Sequence, residues 1–331
     1  MNRLTNKRSS VAILAAITLA IPSILLATSA DAAVNWKGRP KTVLWIQPMK
    51  DHPVHRLMQA GFLSRCKTLG LKCKVVGHAS ATVWDVPATI PLADAAIASV
   101  KYGGVAIYPF DPALASLSGK LAKKGYPIIG WHAIPKQGAY PGMIAAAAQY
   151  VPNAGIAPAK AICTQAGGKG TVAITEGSLN DEENLKAASF KQELATSCPG
   201  MKVTDIGIEG FDSVKAIATA VGILSADQSI VAAYSTTGNG AQTWSKAAEQ
   251  VNRKITIIGM DYIRQNLDLI RDGKVYGVVA QPLFEEGAMV ADLFSQIFKG
   301  KTIKYSNILP SAIVTKANVD HYYKIVTAAG Q

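Results

Sequence analysis

Two polar residues stand directly after apolar, β-branched runs in the stretch from Ile255 to Pro282. Asp261 follows the run Ile255–Met260, and Gln281 follows the run Val275–Ala280. Such runs are typical of strands buried on both faces of a parallel sheet. Small ligands bind at the carboxyl edge of sheets of this kind. The carboxylate of Asp261 and the amide of Gln281 therefore predict a hydrogen-bonding site.

Histidines are concentrated behind other predicted strands. Four of the five follow strands in the first half of the chain: His52, His55, His78 and His132. The segment Asp51–His55 holds two imidazoles and a carboxylate, but no cysteine or second carboxylate completes a metal-ligand set. We predict no metal ion, and interpret two of these histidines as neutral donors to a ligand and two as loop residues. The alternative is that a protonated histidine at a helix N-terminus, together with Lys186, binds a partly anionic ligand.

Neither a cofactor loop nor a catalytic set is complete. Tyr234–Thr243 approximates a dinucleotide-binding loop, but Thr243 stands where the third glycine is required. Serine, histidine and aspartate occur at the predicted sheet edges without a G-x-S-x-G elbow. Asp51 and Asp261 would have to face each other to act as glycosidase carboxylates, and an isolated hydrogen-bond acceptor is the simpler interpretation. We predict no cofactor and no enzymatic activity.

The aromatic residues divide into two groups. Trp45 lies inside a predicted strand and is expected in a core. Tyr108, Phe110, Trp131 and Tyr234 come at strand ends, where a ring packs well on the apolar face of a ligand. Of these four we predict Tyr108 and Trp131 as ligand contacts.

Strand and helix patterns alternate from Lys41 to Lys299, in two series that divide near residue 146. Repeated strand–helix units form parallel sheets with helices on both faces, because their crossovers are right-handed. The predicted fold class is α/β, with two doubly wound parallel-sheet lobes. If the carboxyl edges of the two sheets face each other, the residues that follow the strands line one ligand cleft between the lobes.

The first 32 residues have the order of a secretory signal peptide. Arg3, Lys7 and Arg8 form a basic region. The apolar run Val11–Ala27 follows, and Ala30-Asp31-Ala32 supplies small residues for cleavage. We expect export of a soluble mature chain, most simply to a bacterial periplasm.

Composition agrees with this expectation. The 331 residues are enough for two domains, and a hydrophobic fraction of 49% argues against disorder. The formal net charge is +12, but the lysines are scattered along the chain. We interpret the charge as a contribution to solubility, with docking on an acidic partner as the alternative, and predict no nucleic-acid partner.

The chain has four cysteines, an even number that permits two disulfides in an oxidising compartment. We predict the pairs Cys66–Cys73 and Cys163–Cys198, because each then closes a loop within one lobe. The absence of a C-x-x-C motif argues against a redox or zinc-ribbon role.

Seven segments, in their order and spacing, give the chain a resemblance to a known family. They are DHP at 51–53, YGGVAIYPFDP at 102–112, GYPIIGWH at 125–132, NLKAASF at 184–190, STTGNGA at 235–241, IIGMD at 257–261 and DGKVYGVVAQP at 272–282. With them, nearly all of the mature chain resembles periplasmic sugar-binding proteins of ABC importers. These are proteins of the ribose/galactose-binding type, with the type I periplasmic binding fold.

The resemblance implies that polar side chains at strand ends hold a polyol between the lobes. Thr236 stands where these proteins usually have Asn, and Lys186 where they usually have Arg. His52 matches an Asn, and His132-Ala133 replaces an Asp-Arg pair, so the resemblance leaves a sugar, a polyol or a sugar acid open. For a sugar acid bound by protonated histidine, affinity would fall above about pH 6.5. The predicted ligand-binding residues are Asp261, Gln281, Thr236, Lys186, His132, His52, Asp51, Tyr108 and Trp131.

The resemblance also implies three crossings between the lobes, near residues 146, 282 and 309. The N-terminal lobe is then 40–146 plus 282–309, and the C-terminal lobe is 147–281 plus 310–331. We expect a monomeric substrate-binding protein that delivers its ligand to an ABC permease in the inner membrane. A ligand sensor that acts on a chemoreceptor or sensor kinase is the alternative, and a periplasmic enzyme on the same fold is a third.

Overall fold

The framework of the protein is two β-sheets, both within the unit Trp36–Gln331. A computed structural model describes residues 35–81 and 83–330, so the predicted signal peptide at 1–32 lies outside the described residues. The strands are β1 Thr42–Ile46, β2 Lys72–Val76, β3 Gly104–Ile107, β4 Ile128–Trp131, β5 Met143–Gln149, β6 Gly170–Glu176, β7 Met201–Ile208, β8 Ile230–Ser235, β9 Thr256–Met260, β10 Gly277–Ala280, β11 Ser306–Leu309 and β12 Ala312–Thr315. The helices are α1 Pro53–Leu69, α2 Val86–Ser99, α3 Pro112–Lys123, α4 Asn153–Gln165, α5 Asp181–Ser197, α6 Ser213–Ala226, α7 Gly240–Gln250, α8 Arg264–Arg271, α9 Leu283–Phe298 and α10 Val319–Ala328. None of the described helices is long and apolar enough to cross a membrane.

Each described sheet has six strands. The first has the order β11-β5-β4-β3-β1-β2, and all of its neighbouring strands are parallel. The second has the order β12-β10-β9-β8-β6-β7 and is parallel except where β12 runs antiparallel to β10. The predicted fold class is confirmed: two doubly wound, largely parallel sheets with helices between their strands.

The chain passes from one sheet to the other three times. The passages are between β5 and α4, between β10 and α9, and between β11 and β12. The predicted crossing near residue 146 falls inside β5, a few residues before the passage, whereas those near 282 and 309 fall at the passages themselves. The lobe boundaries drawn from the sequence stay a prediction.

Several elements were not predicted from the sequence. β5 reads MIAAAAQ, and alanine is depleted in strands, so its pattern carries no strand signal. β11 and β12 have four residues each and lie on either side of Pro310, which masks their continuity. The pattern after Leu309 does not predict α10. Short edge strands of this kind are specified by the sheet that they join rather than by their own residues.

Helices α1 and α9 pack so closely that two glycines are required. A Cβ atom on Gly61 would lie 1.9 Å from the carbonyl oxygen of Phe284, and one on Gly287 would lie 1.9 Å from that of Met58. Because glycine has no side chain at these two points, α9 comes close to α1, and Glu286 in the first turn of α9 meets His132 and Gln149 at the ends of β4 and β5. Glu286, next to Gly287, is thereby fully buried behind the cleft edge of the first sheet.

The two predicted disulfides are confirmed. Cys66 on α1 is bonded to Cys73 on β2, and Cys163 on α4 is bonded to Cys198 at the end of α5. Each bond joins elements that lie beside the same sheet, as the prediction required.

Candidate functional site

Asp261 and Gln281 lie side by side at the carboxyl edge of the second sheet. They directly follow the adjacent parallel strands β9 and β10, and Gln281 Nε2 donates a hydrogen bond of 2.6 Å to Asp261 Oδ1. Burial raises the pKa of Asp261, an effect that the hydrogen bond from Gln281 opposes. The carboxylate is thus held in one orientation by the amide of Gln281, whose own oxygen accepts a hydrogen bond from Gln149 Nε2.

The backbone is left-handed at the equivalent point of both lobes. Among the described residues other than glycine, positive φ angles occur at His132, Asn252 and Asp261. His132 (φ 66°) directly follows β4, and Asp261 (φ 68°) directly follows β9. A left-handed residue with a side chain costs about 1–2 kcal/mol and persists where its position is functionally constrained. These two turns aim a titratable side chain from each sheet toward the space between the lobes.

The Asp261 turn is held by one buried amide. Asn266 Nδ2 lies within hydrogen-bonding distance of the backbone carbonyl oxygens of Gly238 (2.8 Å), Met260 (2.9 Å) and Asp261 (2.9 Å), so its two hydrogens are shared among three acceptors. Asn266 is fully buried in α8, and its Oδ1 accepts from Gln242 Nε2. This clamp ties the loop after β8 to the loop after β9 and holds the backbone that carries the Asp261 side chain.

A chain of hydrogen bonds joins the three passages between the lobes. Gln149, the last residue of β5, donates through Nε2 to Gln281 Oε1 and accepts at Oε1 from Ser311 Oγ at 3.0 Å. The same Nε2 lies 3.2 Å from Glu182 Oε1. Each of the three passages therefore contributes one side chain, and the chain ends on Asp261 through Gln281.

Lys186 is buried with a carboxylate partner one helical turn away. Its Nζ lies 2.8 Å from Glu182 Oε1, on the first turns of α5. Burial alone would lower the pKa of Lys186, but the charge of Glu182 and, more weakly, that of Asp261 raise it. Burial alone would raise the pKa of Glu182, but Lys186 and His132 lower it to about 2. Both groups are therefore charged at neutral pH, and Glu182 was missed although Glu and Lys four residues apart on a helix are a readable signal.

His132 is buried in the first lobe against Glu286. Its Nδ1 lies 2.8 Å from Glu286 Oε2. Burial alone would lower the pKa of His132, but the carboxylate of Glu286 raises it to about 9, with a smaller contribution from Glu182. That contribution reaches His132 from α5, beside the other sheet, so the lobes lie close together at this point. Glu286 had no local sequence signal, because it reaches His132 only through the packing of α9 on α1.

Thr236 faces a second carboxylate of α5. Its hydroxyl donates to Glu183 Oε2 at 2.9 Å, and the backbone N–H of Gly177 donates to the same oxygen at 2.5 Å. Because its proton is engaged, Thr236 has lone pairs rather than a hydrogen to offer to another group.

The predicted aromatic contacts form a stack that ends in solvent. The Trp131 ring is stacked against both Trp45 and Tyr108, with centroid separations of 4.7 Å and interplanar angles of 17° in each case. Tyr108 is stacked in turn on Phe110 (5.4 Å, 9°). Trp131 is fully buried and Tyr108 is 7% exposed, whereas Phe110 is 50% exposed. Phe110 therefore has the most accessible ring of the stack, and Tyr108 and Trp131 lie behind it. A ligand contact by Tyr108 or Trp131 stays a prediction. Trp45 lies in the core, as predicted.

The segment around the first histidines is only partly in the cleft. Asp51 is exposed and pairs with Lys50 Nζ at 2.7 Å, so its carboxylate is turned to solvent and is not brought together with Asp261. His52 is half-buried before α1, and its Nδ1 has no hydrogen-bond partner among the described residues. Burial lowers the pKa of His52, and it lowers that of His55 to about 3. In the part of the chain that the structure describes, no three His, Cys, Asp or Glu side chains are grouped as metal ligands.

Comparison with known proteins finds a family and a fold. A family model described as a periplasmic binding protein domain matches residues 43–302. No curated protein sequence is similar enough to count as a match. A sugar-binding protein of a sugar ABC transporter from Bacillus halodurans is 22% identical with a TM-score of 0.77, over 85% of this chain and 100% of that chain. An ABC transporter solute binding protein from Actinobacillus succinogenes with bound D-allose is 20% identical with a TM-score of 0.75, over 86% and 100%.

A third similar structure is a XylFII–LytSN complex, 20% identical with a TM-score of 0.69, over 84% of this chain and 98% of that chain. At these identities the structures share the fold with this chain. The resemblance to proteins with the type I periplasmic binding fold is confirmed.

Proposed function

We propose, because this chain belongs to the periplasmic binding protein domain family, that it captures a sugar, a polyol or a sugar-derived small molecule for an ABC transporter. The observation that carries the proposal is the hydrogen-bonded pair of Asp261 and Gln281, which is buried between the sheets and linked to all three passages between the lobes. A carboxylate accepts from two hydroxyls at once, and an amide both donates and accepts, which is the chemistry that a polyol requires.

Capture proceeds by closure of the lobes about the three passages. A ligand stabilises the closed form to the extent that it contacts groups of both lobes that are apart in the open form. His132 and Phe110 stand on the first lobe, and Asp261 and Lys186 on the second. The names of the similar structures support a sugar, since one is called a sugar-binding protein and another holds D-allose.

A thermal-shift screen against pentoses, hexoses and polyols tests the proposal. A ligand present far above its Kd raises the melting temperature, because it binds only the folded protein. Calorimetry on the compounds that respond should give one binding site per chain. If no compound of these classes shifts the melting temperature, the proposed function is wrong.

Export to the periplasm is part of the same proposal. Cell fractionation should recover the protein with the periplasmic contents, and mass spectrometry should find Ala33 as its first residue. Recovery of a chain that retains residues 1–32 in the cytoplasm would contradict both the localisation and the predicted cleavage.

A sensor is the second candidate, supported by the similarity to a chain of the XylFII–LytSN complex. Transport and sensing are separated by deleting the gene and measuring uptake of the labelled ligand. Loss of uptake indicates a transporter, whereas normal uptake with loss of a ligand-dependent response indicates a sensor. An enzyme would release an altered product, which NMR of the ligand after incubation with the protein would detect.

Gln149→Ala is expected to weaken ligand binding about 3- to 10-fold, because it removes the side chain that links Gln281 to Ser311. The size follows from the contribution of one hydrogen bond, about 0.5–1.5 kcal/mol. Calorimetry with the ligand from the screen measures the change. Gln192→Ala, at an exposed position of α5, is the matched control and should bind as the wild type does. An unchanged Kd for Gln149→Ala would show that the link between the passages does not contribute to closure.

Phe110→Ala is expected to reduce affinity about 3- to 10-fold, since stacking of a sugar C–H face on an aromatic ring contributes roughly 1 kcal/mol. Phe110→Tyr, which keeps the ring, should stay within about twofold of the wild type. Equal affinity of the wild type and Phe110→Ala for the ligand would show that the Phe110 ring does not contact the ligand.

A further inference from the structure

We propose that Glu182 and Glu286 neutralise the two buried cations of the cleft, so that the site binds neutral or amine-bearing sugars and rejects sugar acids. This inference rests on the proposed function and narrows its ligand class. Neither carboxylate belongs to the set of ligand contacts predicted from the sequence. Each acts through the cation beside it rather than on the ligand, and is therefore a specificity-determining residue.

In the first pair, the negative charge of Glu182 balances the positive charge of Lys186. Its ammonium is 2.8 Å from Glu182 Oε1, and the Lys186 side chain is only 5% exposed. The pKa of Glu182 is lowered to about 2, so the partner stays ionised at any pH that the protein meets. To bind a ligand carboxylate, Lys186 would have to leave Glu182 buried without its cation, which is the costly outcome for an ion pair inside a protein.

In the second pair, Glu286 balances the positive charge of His132. Glu286 is fully buried, and its Oε2 lies 2.8 Å from His132 Nδ1. One proton is shared between the imidazole and the carboxylate. Whichever of the two holds it, the sum of their charges is zero, so the pair presents no net positive charge to a ligand.

Apart from its partner Glu182, the titratable groups that act on Lys186 are acidic, and the histidines His52 and His55 have lowered pKa values. Asp261 and Glu183 both act on Lys186 electrostatically and have no cation of their own. His52 and His55 have lowered pKa values, that of His55 being about 3, and are neutral at neutral pH. The first turn of α5 carries Asp181, Glu182 and Glu183, which offset the positive end of its helix dipole.

The balance of charge decides which ligands bind. The two pairs sum to zero, and Asp261 and Glu183, the other groups that act on Lys186, are carboxyl groups, so none of them adds a positive charge. The carboxylate of a sugar acid would lose its hydration there without meeting an unpaired cation, which strongly disfavours its burial. A hydroxyl can donate to Asp261, and an ammonium group would gain from Asp261 in addition. This argues against the sugar acid that the histidines alone left open.

Matched sugars test the inference on the wild-type protein. D-Glucose, D-glucosamine and D-glucuronate, and the corresponding galactose series, differ in charge while keeping the ring. We expect thermal shifts with a neutral or amine-bearing member and none with its uronate. A uronate that shifts the melting temperature as much as its neutral counterpart would overturn the charge argument while leaving sugar capture intact. A response to no sugar of any charge would overturn the proposed function, and this inference with it.

Variants then test the two carboxylates directly. Glu182→Gln leaves Lys186 without its counter-charge, and we expect the ratio of uronate to neutral-sugar affinity to rise at least about tenfold. Glu286→Gln, measured in acidic buffer where His132 can keep its proton without Glu286, should change the ratio in the same direction, and serves as the second variant if Glu182→Gln does not fold. Glu193→Gln is the matched control, since Glu193 lies on α5 and pairs with the exposed Lys160. An unchanged ratio in the folded Glu182 and Glu286 variants would overturn the proposal.

Discussion

Asp261→Ala is expected to lower the affinity for the ligand at least about tenfold, because a carboxylate-to-hydroxyl bond in a desolvated site contributes roughly 1.5–3 kcal/mol. Asp261 is 4% exposed, so few of its interactions are screened by water. The substitution also leaves Gln281 Nε2 without its 2.6 Å acceptor, which weakens the second ligand contact at the same time. Calorimetry with the ligand from the thermal-shift screen measures the loss.

Two variants make this test specific. Asp261→Asn keeps the size of the side chain and one acceptor oxygen but removes the charge. Its affinity for the ligand should lie between those of Asp261→Ala and the wild type. Asp94→Ala is the same substitution at an exposed position of α2, away from the cleft, and should leave the Kd unaltered. A wild-type Kd for Asp261→Ala would refute the site, because no other buried carboxylate stands at the end of a central strand with an amide donor beside it in the described second lobe.

The position of Asp261 was predictable because its signal is local. An uninterrupted apolar run that ends on an acidic residue fixes both the strand and the edge at which the carboxylate appears, and the same holds for Gln281. Cysteine pairing was predictable for a similar reason, since each pair closes a loop within one lobe. The α/β class followed from the repeated strand–helix alternation rather than from any single residue.

The partners of the predicted residues were not predictable in the same way. Glu286 meets His132 across 154 positions of sequence, and only because two glycines let α9 approach α1. Gln149 meets Gln281 across 132 positions, from a strand whose alanines gave no strand signal. Trp131 stands at a strand end, as a ligand contact would, and the structure places it fully buried between the rings of Trp45 and Tyr108. Sequence patterns place residues at an edge; packing decides which atoms remain available there.

Glu286→Ala is expected to lower the free energy of unfolding by about 3–5 kcal/mol at neutral pH, because it leaves the buried His132 without its counter-charge. The pKa of His132 is raised from 6.5 to about 9 by this carboxylate. A raised pKa contributes stability that is fully present below pH 6.5 and is lost as the pH rises through about 9. The shift corresponds to roughly 3 kcal/mol, which agrees in size with the expected cost of the substitution.

The pH dependence separates this pair from a simple packing defect. Denaturant unfolding of wild type and Glu286→Ala should differ most below pH 6.5, and the difference should narrow as the pH approaches about 9, where His132 releases its proton. Glu286→Gln, which keeps the volume, should show the same narrowing from a smaller starting difference. Glu285→Ala is the matched control, because Glu285 is the adjacent residue of α9 and is exposed. A difference between wild type and Glu286→Ala that stays constant over this range would mean that Glu286 stabilises the fold by its volume alone, and that the charge of His132 is balanced by another group.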